Sequence, residues 1–255
     1  MRLLSRWGGV VGTVGLIALW WLLAVTVLKK GDGVPTPWAV VQQVRHDGWQ
    51  FYSPHLRQTG MEAVYGYLIG NGLALVCAFV VILIPVTESL IMQLAVASYC
   101  MPIMAIGPIL TLVFSGDRPM IAMAALSVFF TTLVGMLFGL RSADRTSLEL
   151  VRVYGGGRWT QLAKVRLVAA LPSTLAALKI AAPAALLGAI LGEYLGNLST
   201  GLGVAMTISQ QQFEAARTWA LALMAGLLAT GAYGLTALIA RVATPWADTN
   251  EGLRT

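Results

Sequence analysis

The chain has 255 residues, of which 57% are hydrophobic and 11% charged, and its formal net charge is +6. A soluble domain carries about 25% charged residues, so this composition excludes an ordinary soluble protein, and its hydrophobicity excludes a disordered chain. The basic residues are scattered, which argues against nucleic-acid binding. The composition therefore predicts an all-α polytopic membrane protein.

Six apolar stretches are long enough to cross the ~30 Å hydrocarbon layer as helices. In chain order they cover about residues 7–28, 61–84, 89–114, 119–140, 172–196 and 218–240. The third stretch contains Pro102 and Pro108, and each proline removes a helix hydrogen bond. We expect this span to be kinked or broken within residues 101–108.

Residues 31–59 differ from the spans because they mix prolines and aromatic residues with polar ones. Tryptophan and tyrosine are enriched where a membrane meets water. This pattern predicts an extracytoplasmic connection with an interfacial aromatic belt, although the same aromatic side chains could bind a ligand.

The distribution of lysine and arginine predicts the orientation. With the N-terminus inside, ten of these residues lie on the cytoplasmic side and six on the outer side. Because cytoplasmic loops carry the excess of positive charge, both termini and the loop at 141–171 are predicted to be cytoplasmic. Lys29 and Lys30 alone favour the opposite orientation for the first helix.

The loop at 141–171 is long and amphipathic. Apolar residues at helical spacing precede and follow the run Gly155-Gly156-Gly157, so the sequence predicts two short helices joined by a glycine turn. Such a pair could form a docking platform for a partner, or it could lie on the membrane surface without one.

This loop resembles the coupling motif of ABC importer permeases. The motif's glutamate and glycine correspond to Glu149 and Gly155, and its later isoleucine and leucine positions are occupied by Val165 and Leu167. The loop departs from the motif at three positions, Leu150, Val151 and Val168.

Further segments are similar to the nitrate/sulfonate/taurine group of these permeases. They are His55 and Thr59 before the second span, the proline-rich third span, Gly201-Leu202-Gly203 after the fifth, and Thr244-Pro245-Trp246 near the end. The resemblance covers about residues 55–246. It implies one permease domain over residues 1–255, of the type I importer fold, in the bacterial inner membrane.

The resemblance also implies a function and partners. The chain would form the translocation path for a small solute, either a nitrate-, sulfonate- or taurine-like anion or a heterocyclic vitamin precursor. An extracytoplasmic binding protein would deliver it. A second permease subunit, identical or related, and two cytoplasmic ATPase subunits would complete the complex. ATP and magnesium would bind to the ATPases, because this chain has no GxxxxGK[ST] phosphate loop.

Four residues are the candidates for coupling to the ATPase: Glu149, Gly155, Arg158 and Trp159. Glycine permits a sharp turn, and aromatic and arginine side chains dominate the energetics of interfaces. Glu149 could cap a helix or accept hydrogen bonds from the partner.

Four residues within the spans are candidates for the translocation path or for helix packing: Gly188, Gly192, Glu193 and Asn71. Small residues recur every four positions along the fifth span, which allows a neighbouring helix to approach closely. Glu193 is either a functional intramembrane acid or a water-exposed residue at the interface. Asn71 either faces the path or bonds between helices.

No catalytic group or metal site is predicted, and the chain is not expected to be an enzyme or to bind a cofactor. A polytopic membrane enzyme would need a cluster of reactive groups within the spans. A secondary transporter would need ion-coupling groups in the membrane. Both remain alternatives to the permease.

Overall fold

The computed structural model describes residues 2–26, 33–196 and 199–246, and the described residues form helices without strands. The helices are α1 (Arg2–Val25), α2 (Pro37–Leu83), α3 (Glu88–Cys100), α4 (Ile103–Val113), α5 (Arg118–Arg141), α6 (Arg145–Val153), α7 (Arg158–Gln161), α8 (Leu167–Leu195), α9 (Leu202–Gln211) and α10 (Ala215–Ala243). The predicted all-α class is confirmed. Lys29, Lys30 and the C-terminal residues fall outside the described ranges.

The described residues include four helices that are long and apolar enough to span a membrane, namely α2, α5, α10 and the continuous stretch Arg158–Leu195. The pair α3 and α4 adds a fifth if it forms one broken span. The first predicted span falls on α1, a helix of 24 residues that includes the apolar stretch Val11–Val25. The structure therefore has the predicted polytopic architecture, with four or five long spans among the described residues and α1 at the position of the first predicted span.

The predicted break in the third span is confirmed. Helix α3 ends at Cys100 and α4 begins at Ile103, and the two are bent by 100°. Met101 has an extended backbone at the break, as expected for a residue that precedes a proline. Pro108 lies inside α4 without ending it.

Helix α2 begins at Pro37, so residues 37–59 of the predicted connection are helical and continuous with the second predicted span. The predicted extracytoplasmic position and aromatic belt of this segment stay predictions. The side chain of Thr36 accepts a hydrogen bond from the Ala39 backbone at 3.2 Å, and Pro37 occupies the first turn, where its missing N–H costs nothing. Gly48, with φ +72°, bends the helix. This segment is stabilised by burial, because Tyr52 is almost fully enclosed.

Helix α8 is the continuation of α7. A π-helical turn at Leu162–Arg166 joins them, and the stretch Arg158–Leu195 is one span of 38 residues. The predictions of a separate second loop helix and of a start at Pro172 were both wrong. Proline is tolerated inside membrane helices when neighbouring groups satisfy the freed backbone.

Helix α5 lies at the centre of the described bundle, where it packs mainly against α8 and α2. Its inward residues are almost fully buried, including Met123, Val128 and Leu133. The facing residues on α2 and α8 are mostly alanine and glycine. Small residues on both sides let three helix backbones approach closely.

Candidate functional site

Helix α6 is fixed by a side-chain cap at its start. The Asp144 carboxylate accepts hydrogen bonds from the backbone N–H of Ser147 at 2.9 Å and from its hydroxyl at 3.1 Å. These donors hold the pKa of Asp144 below its usual value. The cap is therefore charged at neutral pH, and its contribution is lost only as the pH falls through that lowered pKa.

The predicted glycine turn follows α6. Gly155 has φ +80°, a conformation that glycine adopts at no steric cost. Its N–H donates to the Arg152 carbonyl at 2.9 Å, and the Gly156 N–H donates to the Val151 carbonyl at 2.8 Å. These bonds satisfy the last carbonyls of α6 and reverse the chain into α7.

The surface of residues 145–161, which we call the coupling segment, is unusually apolar for an exposed region. Trp159 is 71% exposed, Tyr154 and Val153 are each 83% exposed, and Leu150 is 58% exposed. Glu149 is exposed beside them on α6. Exposed apolar patches of this kind mark sites of interaction with proteins or membranes.

Two arginines tether the coupling segment and the start of α8 to the ends of other helices. Arg158 donates to the Leu83 carbonyl at the end of α2 at 3.1 Å, and Arg166 donates to the Leu140 carbonyl in the last turn of α5 at 3.0 Å. Cations are favourable at helix C-termini. Sequence reasoning named Arg158 as a partner contact but missed both tethers, because the carbonyls they bind are far away in sequence.

Gly188 and Gly192 lie where α8 touches α5. A Cβ atom on Gly188 would meet the Ala124 Cα at 2.8 Å, and one on Gly192 would meet the Met120 Cα at 2.9 Å. On an adjoining face of α5, a Cβ on Gly70 would meet the Ala125 carbonyl oxygen at 2.4 Å. The structure places both predicted glycines in a close helix contact, and it adds an equivalent contact from α2 that the sequence analysis did not identify.

Asn71 lies next to that contact on α2. It is buried, and its Oδ1 atom accepts a hydrogen bond from the Thr132 hydroxyl on α5. Its Nδ2 atom has no hydrogen-bond partner among the described residues. Asn71 therefore bonds between helices within this chain, and a role for it in the translocation path stays a prediction.

Glu193 is 2% exposed, so it is not a water-exposed residue at the interface. Its Oε1 accepts a hydrogen bond from the Thr59 hydroxyl, and its Oε2 accepts one from the Gly203 backbone N–H, both at 2.6 Å. The Thr59 oxygen in turn accepts from the Leu202 N–H at 2.8 Å. These bonds fasten the start of α9 to α2 and α8.

A second acid, Glu62 on α2, is buried at the same place with 1% exposure. The sequence analysis did not name it as a site residue. The available signal was its position as an ionisable residue just inside a predicted span. Close by, His55 Nδ1 accepts a hydrogen bond from the Gly201 N–H at 3.1 Å.

The predicted site residues thus lie in separate regions. Glu149, Gly155, Arg158 and Trp159 belong to the coupling segment, whereas Gly188, Gly192 and Asn71 lie in the helix contacts of α5. Glu193 lies at the end of α8 far from α7. No group of three or more potential metal-ligating side chains occurs among the described residues.

Comparison with known proteins agrees with this architecture. Residues 70–244 match the family described as "Binding-protein-dependent transport system inner membrane component". The chain is 31% identical over 198 residues, 76% of its length, to a "Probable ABC transporter permease protein" of Haemophilus influenzae, 79% of which is covered.

Two further relatives are named for their substrates. The chain is 25% identical to the "Formylaminopyrimidine transport permease protein ThiX" of Halalkalibacterium halodurans, over 89% of this chain and 90% of the relative. It is also 25% identical to the "Putative aliphatic sulfonates transport permease protein SsuC" of Bacillus subtilis, over 93% of this chain and 86% of the relative. With the helical bundle and the family match together, the chain belongs to the binding-protein-dependent family of inner-membrane ABC transporter permeases, which are multi-pass transport proteins and not enzymes.

Proposed function

We propose that this chain is the permease subunit of an ATP-driven importer and that the coupling segment is the surface on which an ATPase subunit docks. Two observations together carry this proposal. The coupling segment exposes an apolar surface that includes Trp159. It is also continuous with α8, and hydrogen bonds of Arg158 and Arg166 link this region to α2 and α5. A free surface of this kind favours a protein partner. The ATPase would bind ATP and magnesium.

The connection to the spans supports a mechanical role. A displacement of α7 would reach α8 directly, because residues 158–195 form one helix. It would reach α2 and α5 through the hydrogen bonds of Arg158 and Arg166. Because packed helices move as rigid elements rather than deforming continuously, closure of the ATPase would reorient these three helices together.

The solute would be a small anion or a small heterocycle. Relatives of this chain are named for transport of formylaminopyrimidine, aliphatic sulfonates and riboflavin, and these molecules span both chemistries. We propose that an extracytoplasmic binding protein delivers the solute. Two permease subunits, identical or related, and two ATPase subunits would form the complex.

The docking proposal predicts that Trp159→Ala and Glu149→Arg each abolish transport while the protein still inserts in the membrane. Trp159→Ala removes an exposed aromatic side chain that would contact the partner, and Glu149→Arg reverses an exposed charge. The measurement is co-purification of the ATPase subunit together with solute uptake at equal membrane abundance.

Trp49 provides a matched control for this experiment. It is 69% exposed, close to the 71% of Trp159, but it lies in the first part of α2, outside the coupling segment. Trp49→Ala should leave co-purification of the ATPase unchanged. Normal recovery of the ATPase with both Trp159→Ala and Glu149→Arg would contradict the assignment of the coupling segment.

The orientation of the chain gives an independent prediction. If the coupling segment faces a cytosolic ATPase, a cysteine introduced as Arg158→Cys should not react with a membrane-impermeant maleimide in sealed cells. The background would lack Cys77 and Cys100, since the latter is exposed. The same cysteine should react once the cells are permeabilised, whereas rapid labelling before permeabilisation would reverse the proposed topology.

A further inference from the structure

Two acids are buried together where α2, α8 and α9 meet. Glu62 and Glu193 are 1% and 2% exposed. Glu193 accepts a hydrogen bond from Thr59, which lies three residues before Glu62 on the same face of α2, so the two acids occupy the same buried region. The ion pairs identified in the described part of the chain include neither of them. Two ionised carboxylates in such a place would be uncompensated like charges, and burial of an unpaired charge is costly.

The other titratable groups facing this pair do not supply a positive charge. Asp117, at the start of α5, adds negative charge beside Glu62. Tyr194 lies next to Glu193 on α8. His55 on α2 uses its Nδ1 as an acceptor for the Gly201 N–H. Helix α9 carries no titratable side chain, and the residues of α10 that pack nearby are apolar.

The two acids differ in how many of their carboxylate oxygens accept a hydrogen bond. Both oxygens of Glu193 already accept, from the Thr59 hydroxyl and from the Gly203 N–H. Glu62 Oε1 accepts from the Gln58 amide at 2.9 Å. Glu62 Oε2 is buried and has no hydrogen-bond partner within the described ranges. An oxygen that lacks a donor but faces a carboxylate can be satisfied by carrying a proton itself.

We propose that Glu62 and Glu193 form a proton-binding site. One proton, taken up from water, is covalently bound to Glu62 Oε2. The resulting O–H group donates a hydrogen bond to the Glu193 carboxylate, so that the pair carries a single negative charge. No bond other than the O–H bond is formed or broken, and no redox partner is needed. A hydrogen bond between an acid and a carboxylate is about twice as strong as a neutral one.

The bound proton would act as a clamp between helices. Glu193 holds the N-terminus of α9 through the Gly203 N–H, and Thr59 holds it through the Leu202 N–H. A proton shared with Glu62 would tie α2 to this same point. Loss of the proton at high pH would place two like charges there and would weaken this contact, while the bonds of Thr59 and His55 to α9 would remain. The inference rests on this chain alone and does not depend on the proposed ATPase partner.

Infrared spectroscopy of the full-length protein in lipid vesicles tests the proposal directly. At neutral pH the wild type should show the C=O stretching band of a buried protonated carboxylic acid, shifted in D2O. The band should disappear in Glu62→Gln. It should persist in the control Glu88→Gln, because Glu88 is an exposed acid paired with Arg141 at 2.6 Å. A wild-type spectrum without the band at neutral pH would overturn the proposal, as would full retention of the band in Glu62→Gln.

Thermal unfolding distinguishes a hydrogen-bond donor at residue 62 from a side chain that only fills space. The amide of Glu62→Gln can donate to Glu193 as the protonated acid would, so its midpoint of thermal unfolding should stay near that of the wild type. Glu62→Met, which has similar volume but no donor, should unfold at a clearly lower temperature. Equal losses in the two variants would contradict the proposed donor. If Glu62→Gln cannot be purified, the C=O stretching band of Glu62 is measured in Glu193→Gln instead. The band should remain but shift in frequency, because its hydrogen-bond acceptor has changed. An unchanged frequency would exclude Glu193 as the acceptor.

Discussion

Gly70→Ala and Gly188→Ala are expected to destabilise the protein and to suppress transport, although each adds a single methyl group. The new Cβ on residue 70 would lie 2.4 Å from the Ala125 carbonyl oxygen, and that on residue 188 would lie 2.8 Å from the Ala124 Cα. Both obstacles are backbone atoms of α5, so relief requires moving a helix rather than rotating a side chain.

The size of this effect follows from two opposing contributions. Alanine stabilises a helix by about 1 kcal/mol relative to glycine. Overpacking of a close contact costs about 1–3 kcal/mol. Here the atoms in the way belong to the α5 backbone, which cannot move without shifting the helix. We therefore expect a net decrease in the free energy of unfolding. Transport should also fall, because α5 packs closely against both α2 and α8 and a shift of one helix displaces the others.

Gly72 provides the control on the same helix. A Cβ at this position would meet none of the described residues within 4 Å, so Gly72→Ala should be neutral or slightly stabilising. The measurements are thermal unfolding of the purified variants in detergent and solute uptake in cells. Similar unfolding temperatures for the variants at residues 70, 72 and 188 would show that the close contacts do not limit packing.

Gly155→Val is expected to abolish transport while leaving the spans intact. Valine is strongly disfavoured at the φ of +80° found at residue 155, and a non-glycine residue in the left-handed region costs about 1–3 kcal/mol. The short helix α6 has little packing with which to resist this strain, since none of its residues is fully buried. The turn should rearrange, and the coupling segment should lose its shape.

Gly157→Val isolates the backbone contribution. Residue 157 lies two positions further along the same turn but has φ −79° with an extended backbone. Its Cβ, like one on residue 155, would meet no atom within 4 Å in the part of the chain that the structure describes. Only a small cost from the changed N-cap is expected there. Solute uptake and ATPase co-purification should therefore be retained in Gly157→Val and lost in Gly155→Val. Equal activity of the two variants would show that the positive φ is not required for coupling.

Several features of this protein were determined by local sequence. Composition alone established a membrane-embedded helical chain, because a surface with so few charges cannot face water. Pro102 determined the break between α3 and α4, and Gly155 determined the turn after α6. In each case the backbone restriction belongs to one residue or to its immediate neighbour, so it is present before any tertiary contact forms.

Other features were decided only by the tertiary structure. Pro172 was predicted to begin the fifth span, but packing of α8 against the bundle keeps this residue inside a long helix. The hydrogen bonds from Thr59 to Glu193 and from Arg158 to the Leu83 carbonyl join residues far apart in the chain. Apolar spans share one composition, so sequence periodicity does not specify which helices become neighbours. That choice depends on which small residues allow backbones to approach and on which buried polar groups find partners.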